Sequence, residues 1–447
     1  MMIAMKLLVA AIRAGDVERL DQLLEALPGV DLRGETGSAL LREAADTGRP
    51  ELVNSLLWAG ADLYRAWPDG VDAVGWFADH GAWNMLLTVL PQPGSSFHQP
   101  SVPESSLRAA LDLARSWLTV DPEQELRRRL NAPDTPATLV QRDQVFAWHD
   151  GGSTVVRIRV RTTGGRQGQV WVAHRAVVTL LEAHLGIVTS NDELADRAVH
   201  TADPDSWDNS QVHATITQRA ERDAGVFDWL AARLTHPAAA HRLLAAQILH
   251  GLSFDERPFD APAADILADR VRDEPDPAVL DSLIGALAEY ALRARPGTDL
   301  PEILPHARHH DASVRARVAA ELVVATGSRR NSLLRGQAHP PVPAVITTLI
   351  ELAADPDADA RTAALQVLAD SYLDTVQLHA VFAEHLSDPH PPARMAAAVG
   401  LAFRNDPRGR ETLHRLEADP ATADTARRHL ADLDRLAGRL SHPELAP

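Results

Sequence analysis

Along the first ninety residues, apolar positions recur at a fixed step of 33. Leu24, Leu57 and Leu90 keep that step, as do Leu20, Val53 and Leu86, and again Ile12, Ala45 and Ala78. Gly15, Gly48 and Gly81 share it, and Gly37 and Gly70 add a fifth column. Each unit reads as a short helix, a Gly turn and a second helix with paired Leu. One such pair cannot bury its apolar face alone, so neighbouring pairs must stack.

After a Pro/Ser/Gly-rich stretch at 91–103, the pattern predicts a helix over 106–118, with Leu107, Ala110, Leu111, Ala114 and Leu118 on one face. A short helix over 122–130 follows. The period then changes to two. Residues 144–149 form one strand. Val156, Ile158 and Val160 alternate with Arg157, Arg159 and Arg161 in a second, and 169–173 form a third. Asp150-Gly151-Gly152 and Gly164-Gly165 supply the turns of a three-stranded meander. A helix over 174–185, with Val177, Leu180, Leu181 and Leu185 apolar, is expected to cover the sheet.

From about residue 205 the helical period returns. Segments beginning at 236, 276, 310, 355, 388 and 419 are cousins, and Arg361, Arg394 and Arg427 again lie 33 apart. Several open on Asp-Pro, which suits a helix start: Asp caps orphan N–H groups and Pro is tolerated in the first turn. The Ala-rich second halves allow close helix packing. Residues 327–343 interrupt the array with Arg329, Arg330 and Arg335 and no acid.

The first array resembles ankyrin repeats over about residues 5–92. Residues 37–62 match best, with Gly37, Ala44-Ala45, Gly48, Leu56-Leu57 and Gly60-Ala61-Asp62. The family's Thr-Pro-Leu-His element is degraded here to Ala39, Leu40, Leu41 and Arg42. In the third unit it becomes Asp72, Ala73, Val74 and Gly75, so an irregular inner helix is expected there. The resemblance implies protein binding through the fingers and the inner helices. Its finger positions fall on Glu35, Thr36 and Ser38, then Trp67, Pro68, Asp69 and Val71. Its helix-end positions fall on Asp46, Thr47, Asp79 and His80. Trp67 is either an exposed binding anchor or a side chain packed on the neighbouring module. The second array, about 205–440, resembles HEAT repeats, especially the short bacterial kind related to phycobilin-lyase repeats. The family's Arg position is matched by Arg242, Arg315, Arg361, Arg394 and Arg427, and the unit at 276 lacks a clear one. The resemblance implies that these Arg and Asp residues are structural.

Charge and composition narrow the chemistry. The chain has 447 residues and a net charge of −17, which argues against nonspecific nucleic-acid wrapping. Cysteine is absent, which excludes disulfides, thiolate nucleophiles and Cys-ligated zinc. Lys6 is the one lysine, so P-loop and Schiff-base chemistry are excluded in practice. HExxH, GxSxG and GxGxxG do not occur. His306, His309 and His310 cluster without a completing ligand at a known spacing. A HEAT-like DNA glycosylase would need a basic face with aromatic residues, yet the array is acidic and all nine Trp lie before residue 230. The apolar run 1–12 is too short to span a bilayer and reads as the start of a folded helix.

The expected fold is mostly α: an ankyrin-like array at 1–92, a linker with helices at 93–135, a small α+β module at 136–204 and a HEAT-like α-solenoid at 205–447. The expected function is noncatalytic protein binding, as a scaffold, adaptor or regulator in a bacterial cytoplasm. Alternatives are an immunity or inhibitor protein that occludes a basic effector and, more remotely, a lyase-like enzyme. No cofactor, metal, nucleic acid or membrane is expected. Candidate partner-binding residues are Glu35, Asp46, Trp67, Asp69 and Asp79, the strand arginines Arg157, Arg159 and Arg161, and the loop residues Arg329 and Arg330. The acids among them fit a basic partner.

Overall fold

The computed structural model describes residues 2–27, 29–91, 102–132, 138–148, 151–201, 203–256, 258–295, 300–325 and 342–441. Arg329 and Arg330 lie outside the described residues. The chain divides into two compact units, Met1–Asp223 and Ala224–Pro447.

The first unit begins with three helix pairs: α1 (Met2–Ala14) with α2 (Val17–Ala26), α3 (Glu35–Thr47) with α4 (Pro50–Trp58), and α5 (Ala73–Asp79) with α6 (Trp83–Val89). Helices α1, α3 and α5 pack in one row and α2, α4 and α6 in the other. The repeated glycines close the turns within the pairs, with φ of 70°, 76° and 68° at Gly15, Gly48 and Gly81. L side chains rarely adopt that region. The third inner helix, α5, is only seven residues long, and the Asp72 carboxylate caps it through Gly75 N–H at 2.7 Å. The degraded motif there thus shortens the helix without abolishing it.

Next come α7 (Glu104–Ser116), α8 (Pro122–Arg129), strands β1 (Leu139–Trp148), β2 (Gly151–Arg161) and β3 (Gln167–Trp171), then α9 (His174–His184), α10 (Asn191–Ala198) and α11 (Trp207–Ala220). The sheet is an antiparallel meander in the order β1-β2-β3. The helix that covers it is not the expected one. Leu126 of α8 and Trp117 pack on Ile158, Val160 and Val170, whereas α9 packs against α7 and α11. Helix α9 is buried on most sides, so its apolar residues serve helix neighbours rather than the sheet.

The expected boundaries at 92, 135 and 204 are corrected by the packing. One apolar core runs from Leu8 through Trp76, Leu111, Trp171 and Val177 to Trp207. Trp207 Nε1 donates to the Ser153 carbonyl at 3.0 Å, and Trp83 Nε1 donates to Gln211 Oε1 at 2.7 Å. Helix α11, expected to open the second array, therefore belongs to the first unit.

The second unit is an α-solenoid of stacked helices: α12 (Gly225–Arg233), α13 (Ala239–Leu252), α14 (Asp260–Asp273), α15 (Pro277–Ala294), α16 (Ala312–Glu321), α17 (Pro343–Ala353), α18 (Ala358–Asp370), α19 (Val376–Glu384), α20 (Pro391–Phe403), α21 (Pro407–Glu417) and α22 (Ala423–Ser441). One arrangement of polar groups recurs in it. Arg242, Arg315 and Arg361 each stand in the first turn of a helix. Each donates one terminal nitrogen to two carbonyls five and six residues back, and each forks onto a carboxylate of the next helix pair. Those carboxylates are Glu274, Asp355 and Asp388, at 2.7–3.1 Å. Each acid also accepts the backbone N–H two residues on, at Asp276, Asp357 and His390.

This geometry corrects the capping assignment for two Asp-Pro pairs. Asp276 does cap α15, but Asp357 and His390 occupy the cap positions of α18 and α20. Asp355 and Asp388 instead receive the arginine fork. Arg394 keeps its two carbonyl bonds, and no carboxylate meets its fork among the described residues. Arg427 is exposed, bonds to Asp424 one turn away and only approaches Glu417 of the preceding helix at 4.0 Å, so it stands outside the series. In the unit at 276, Leu280 takes the arginine position.

Candidate functional site

Of the positions nominated by the ankyrin resemblance, Trp67 and Asp79 are covered by the chain itself. Trp171 of β3 lies against the turn at Gly48, where an added Cβ would come within 2.8 Å of its ring. At Gly81 an added Cβ would sit 2.1 Å from the Trp171 carbonyl oxygen. Trp171 N–H donates to the His80 carbonyl at 2.8 Å. Gln169 Nε2 donates to the Asp46 carbonyl at 2.6 Å. Gly48 and Gly81 thus serve two purposes: they turn the chain, and they admit β3.

Asp79 is corrected from a partner contact to an interior hub. Its carboxylate accepts Trp117 Nε1 at 2.8 Å and the Arg129 guanidinium at 2.6 Å. Burial works against its ionised form, but the bonds from Arg129 and Trp117 outweigh that and hold the carboxyl below its usual range. His174 stacks on Trp117 at 4.8 Å and places Nε2 3.2 Å from the Asp79 carbonyl. His80 stacks on Trp76 at 3.9 Å. Burial pushes both imidazoles down to about 4, so both are neutral at pH 7.

Trp67 is corrected as well. It is 4% exposed, 6.0 Å from Trp76, and it belongs to the core. Arg42 lies over both rings, at 4.8 and 5.1 Å, and reaches Asp69 at 3.1 Å and Asp46 at 3.9 Å. Glu35, Asp46 and Asp69 are exposed. Two of the three nominated acids that face solvent therefore already share one guanidinium. Arg42 is not legible in the sequence as a functional residue, because it fills a degraded motif position that shows only the missing consensus residue.

The three strand arginines share one face of β2, as the alternation requires. Asp143 of β1 stands opposite Arg157, and its two oxygens accept Arg157 at 2.5 Å and Arg159 at 3.3 Å. Burial opposes ionisation of Asp143, yet these guanidiniums hold its carboxyl below the usual range. Arg161 is exposed and meets Gln167 Oε1 at 3.4 Å. Counting back through the hairpin would have revealed Asp143, because residues paired across the turn have nearly constant number sums.

In the second unit, Arg317 of α16 bonds to Asp281 of α15 at 3.1 Å and to Glu321 at 3.2 Å. Burial pushes Glu321 up to about 7, against the pull of Arg317. His306, His309 and His310 adjoin one another, with ring centroids 6.3 and 4.2 Å apart. Among the described residues no three His, Asp or Glu side chains are grouped to hold a metal ion, and no helix is long and apolar enough to cross a membrane.

No family model and no curated protein matches the chain. Among solved structures, YibA of Escherichia coli is 19% identical over 52% of this chain and 77% of its own, at a TM-score of 0.40. An engineered protein aligns with 96% of this chain and 99% of its own, at 14% identity and a TM-score of 0.37. A mutant of Kap121p aligns with 97% of this chain and 44% of its own, at 11% identity and a TM-score of 0.38. Likeness at this level carries no argument about function, and the fold described above rests on the helix pairing itself.

Proposed function

We propose that the protein is a noncatalytic scaffold or adaptor that binds other proteins. The observation that carries this reading is the recurring arginine bridge of the second unit. Its strongest polar groups are spent on fixing one helix pair to the next, at Arg242–Glu274, Arg315–Asp355 and Arg361–Asp388. A solenoid held this way is a rigid, extended surface, the form that repeat proteins use for recognition. The ankyrin-like and HEAT-like patterns of the sequence support the same reading.

A narrower version is an immunity or inhibitor protein that occludes a basic effector. Residues 201–447 carry 36 acids against 25 Lys and Arg, and complementary charge speeds and selects such encounters.

Co-purification of the tagged chain from its source cells, followed by light scattering on the eluted species, tests the proposal. A stable complex of fixed stoichiometry with another protein is expected. A bound chromophore or substrate turnover by the isolated chain would overturn it in favour of the lyase-like reading.

A further inference from the structure

Among the described residues, the arginine face of β2 is incompletely neutralised, and the gap has a defined position. Asp143 lies directly opposite Arg157 and reaches diagonally to Arg159. One residue pair further along the same face, Gln141 lies opposite Arg159 and diagonal to Arg161. A carboxylate there would bridge Arg159 and Arg161 as Asp143 bridges Arg157 and Arg159, but the side chain is a neutral amide. Across β3 the same face carries Gln169 opposite Arg159, its amide turned to the Asp46 carbonyl, and Gln167 opposite Arg161, accepting from it at 3.4 Å, again without charge. Arg161 and Gln141 are exposed, and the Arg159 side chain is 41% exposed. Like charges at alternate positions of one strand repel, a cost that is unexpected in a chain with 61 acids to draw on.

We propose that this face, built from Arg159, Arg161, Gln141 and Gln167, docks an extended acidic segment of a partner protein, whose carboxylate takes the position that Gln141 leaves uncharged. Alternate residues of an extended chain are about 6.7 Å apart, which matches the spacing of Arg159 and Arg161. A carboxylate suits two neighbouring guanidiniums, as Asp143 of β1 illustrates by giving one oxygen to Arg157 and the other to Arg159. The proposal rests on the scaffold reading and adds the chemistry of one partner.

The test uses the full chain and a fluorescent peptide with glutamate at alternate positions, read by anisotropy at low and high salt. Three proteins are compared: wild type, the Arg159→Gln/Arg161→Gln double variant, and Gln141→Glu. Wild type should bind the peptide, more weakly at high salt, and both variants should lose at least about tenfold in affinity. Gln141→Glu keeps both arginines and fills the gap from within, so it should raise the melting temperature while removing binding. That combination separates a blocked site from a damaged fold. Absence of peptide binding by wild type, or binding that Gln141→Glu leaves unchanged, would overturn the proposal. Tighter binding of oligothymidylate than of the peptide would overturn it in favour of single-stranded nucleic acid. If the complex isolated from source cells persists in both variants, the docking site is wrong while the scaffold reading stands; if wild type forms no complex at all, the scaffold reading itself fails.

Discussion

Trp67 shows how a single residue changes its meaning between sequence and structure. An aromatic in a finger loop, flanked by acids, has the composition of a binding hot spot. In the fold its ring packs on Trp76 beneath the guanidinium of Arg42. Trp67→Ala should therefore destabilise the first unit by about 3–5 kcal/mol, as other deletions of buried aromatics do. Urea denaturation would show it; an unchanged midpoint would contradict the packing. The buried histidines add a dependence on pH. The folded state keeps His80 and His174 neutral down to about pH 4, whereas an unfolded chain protonates them near 6.5. Their contribution to stability is complete above 6.5 and declines as the pH falls from 6.5 towards 4. Replacing both with glutamine should flatten that slope in melting temperature against pH.

Helices and strands were mostly legible, because their periods are local. The 33-residue step, the meander and the alternating arginines all follow from side-chain direction. The bridges between helix pairs were only half legible. Arg361 could be read from its recurrence, but its partner Asp388 looked like a cap, since Asp-Pro at a helix start has that ordinary explanation. Only register two residues on, with His390 at the cap position, separates the roles. The bridge makes a differential prediction. Arg361→Ala leaves the Asp388 carboxylate, 4% exposed, without its fork and should cost about 2–3 kcal/mol, somewhat below a fully buried pair because the guanidinium keeps an edge in solvent. Arg427→Ala, at exposed pairs with Asp424 and, at 4.0 Å, Glu417, should change stability by less than about 0.5 kcal/mol. Equal effects in thermal denaturation would mean that the repeated bridge does not hold the array.

On the scale of the whole molecule, the expected division failed at its joints. Linker composition at 91–103 suggested a boundary, but core continuity is a long-range property that composition does not record. Trp171 meets Gly48 and Gly81 across more than eighty residues of chain, and Trp83 meets Gln211 across more than a hundred. A chain of residues 224–447 should keep its helical circular dichroism by itself. A chain of 93–223 should lose its cooperative transition, because the Trp76 side of its core has been removed. A folded 93–223 fragment would restore the three-module division. The same contacts withdraw Asp79 and His80 from the partner surface, since β3, α8 and α9 of the same chain meet them, whereas Asp46 is met at its carbonyl alone and its side chain stays exposed.

That closure in cis is the central claim, and amide hydrogen exchange on the intact protein tests it most directly. The Trp171 amide donates to the His80 carbonyl across the joint. If the face is permanently filled, that amide should exchange as slowly as the core amides of α3 and α9, through global unfolding of the first unit. Fast exchange at Trp171 beside protected helices would show that β3 lifts away under native conditions, and would return the helix-end face to the list of partner surfaces.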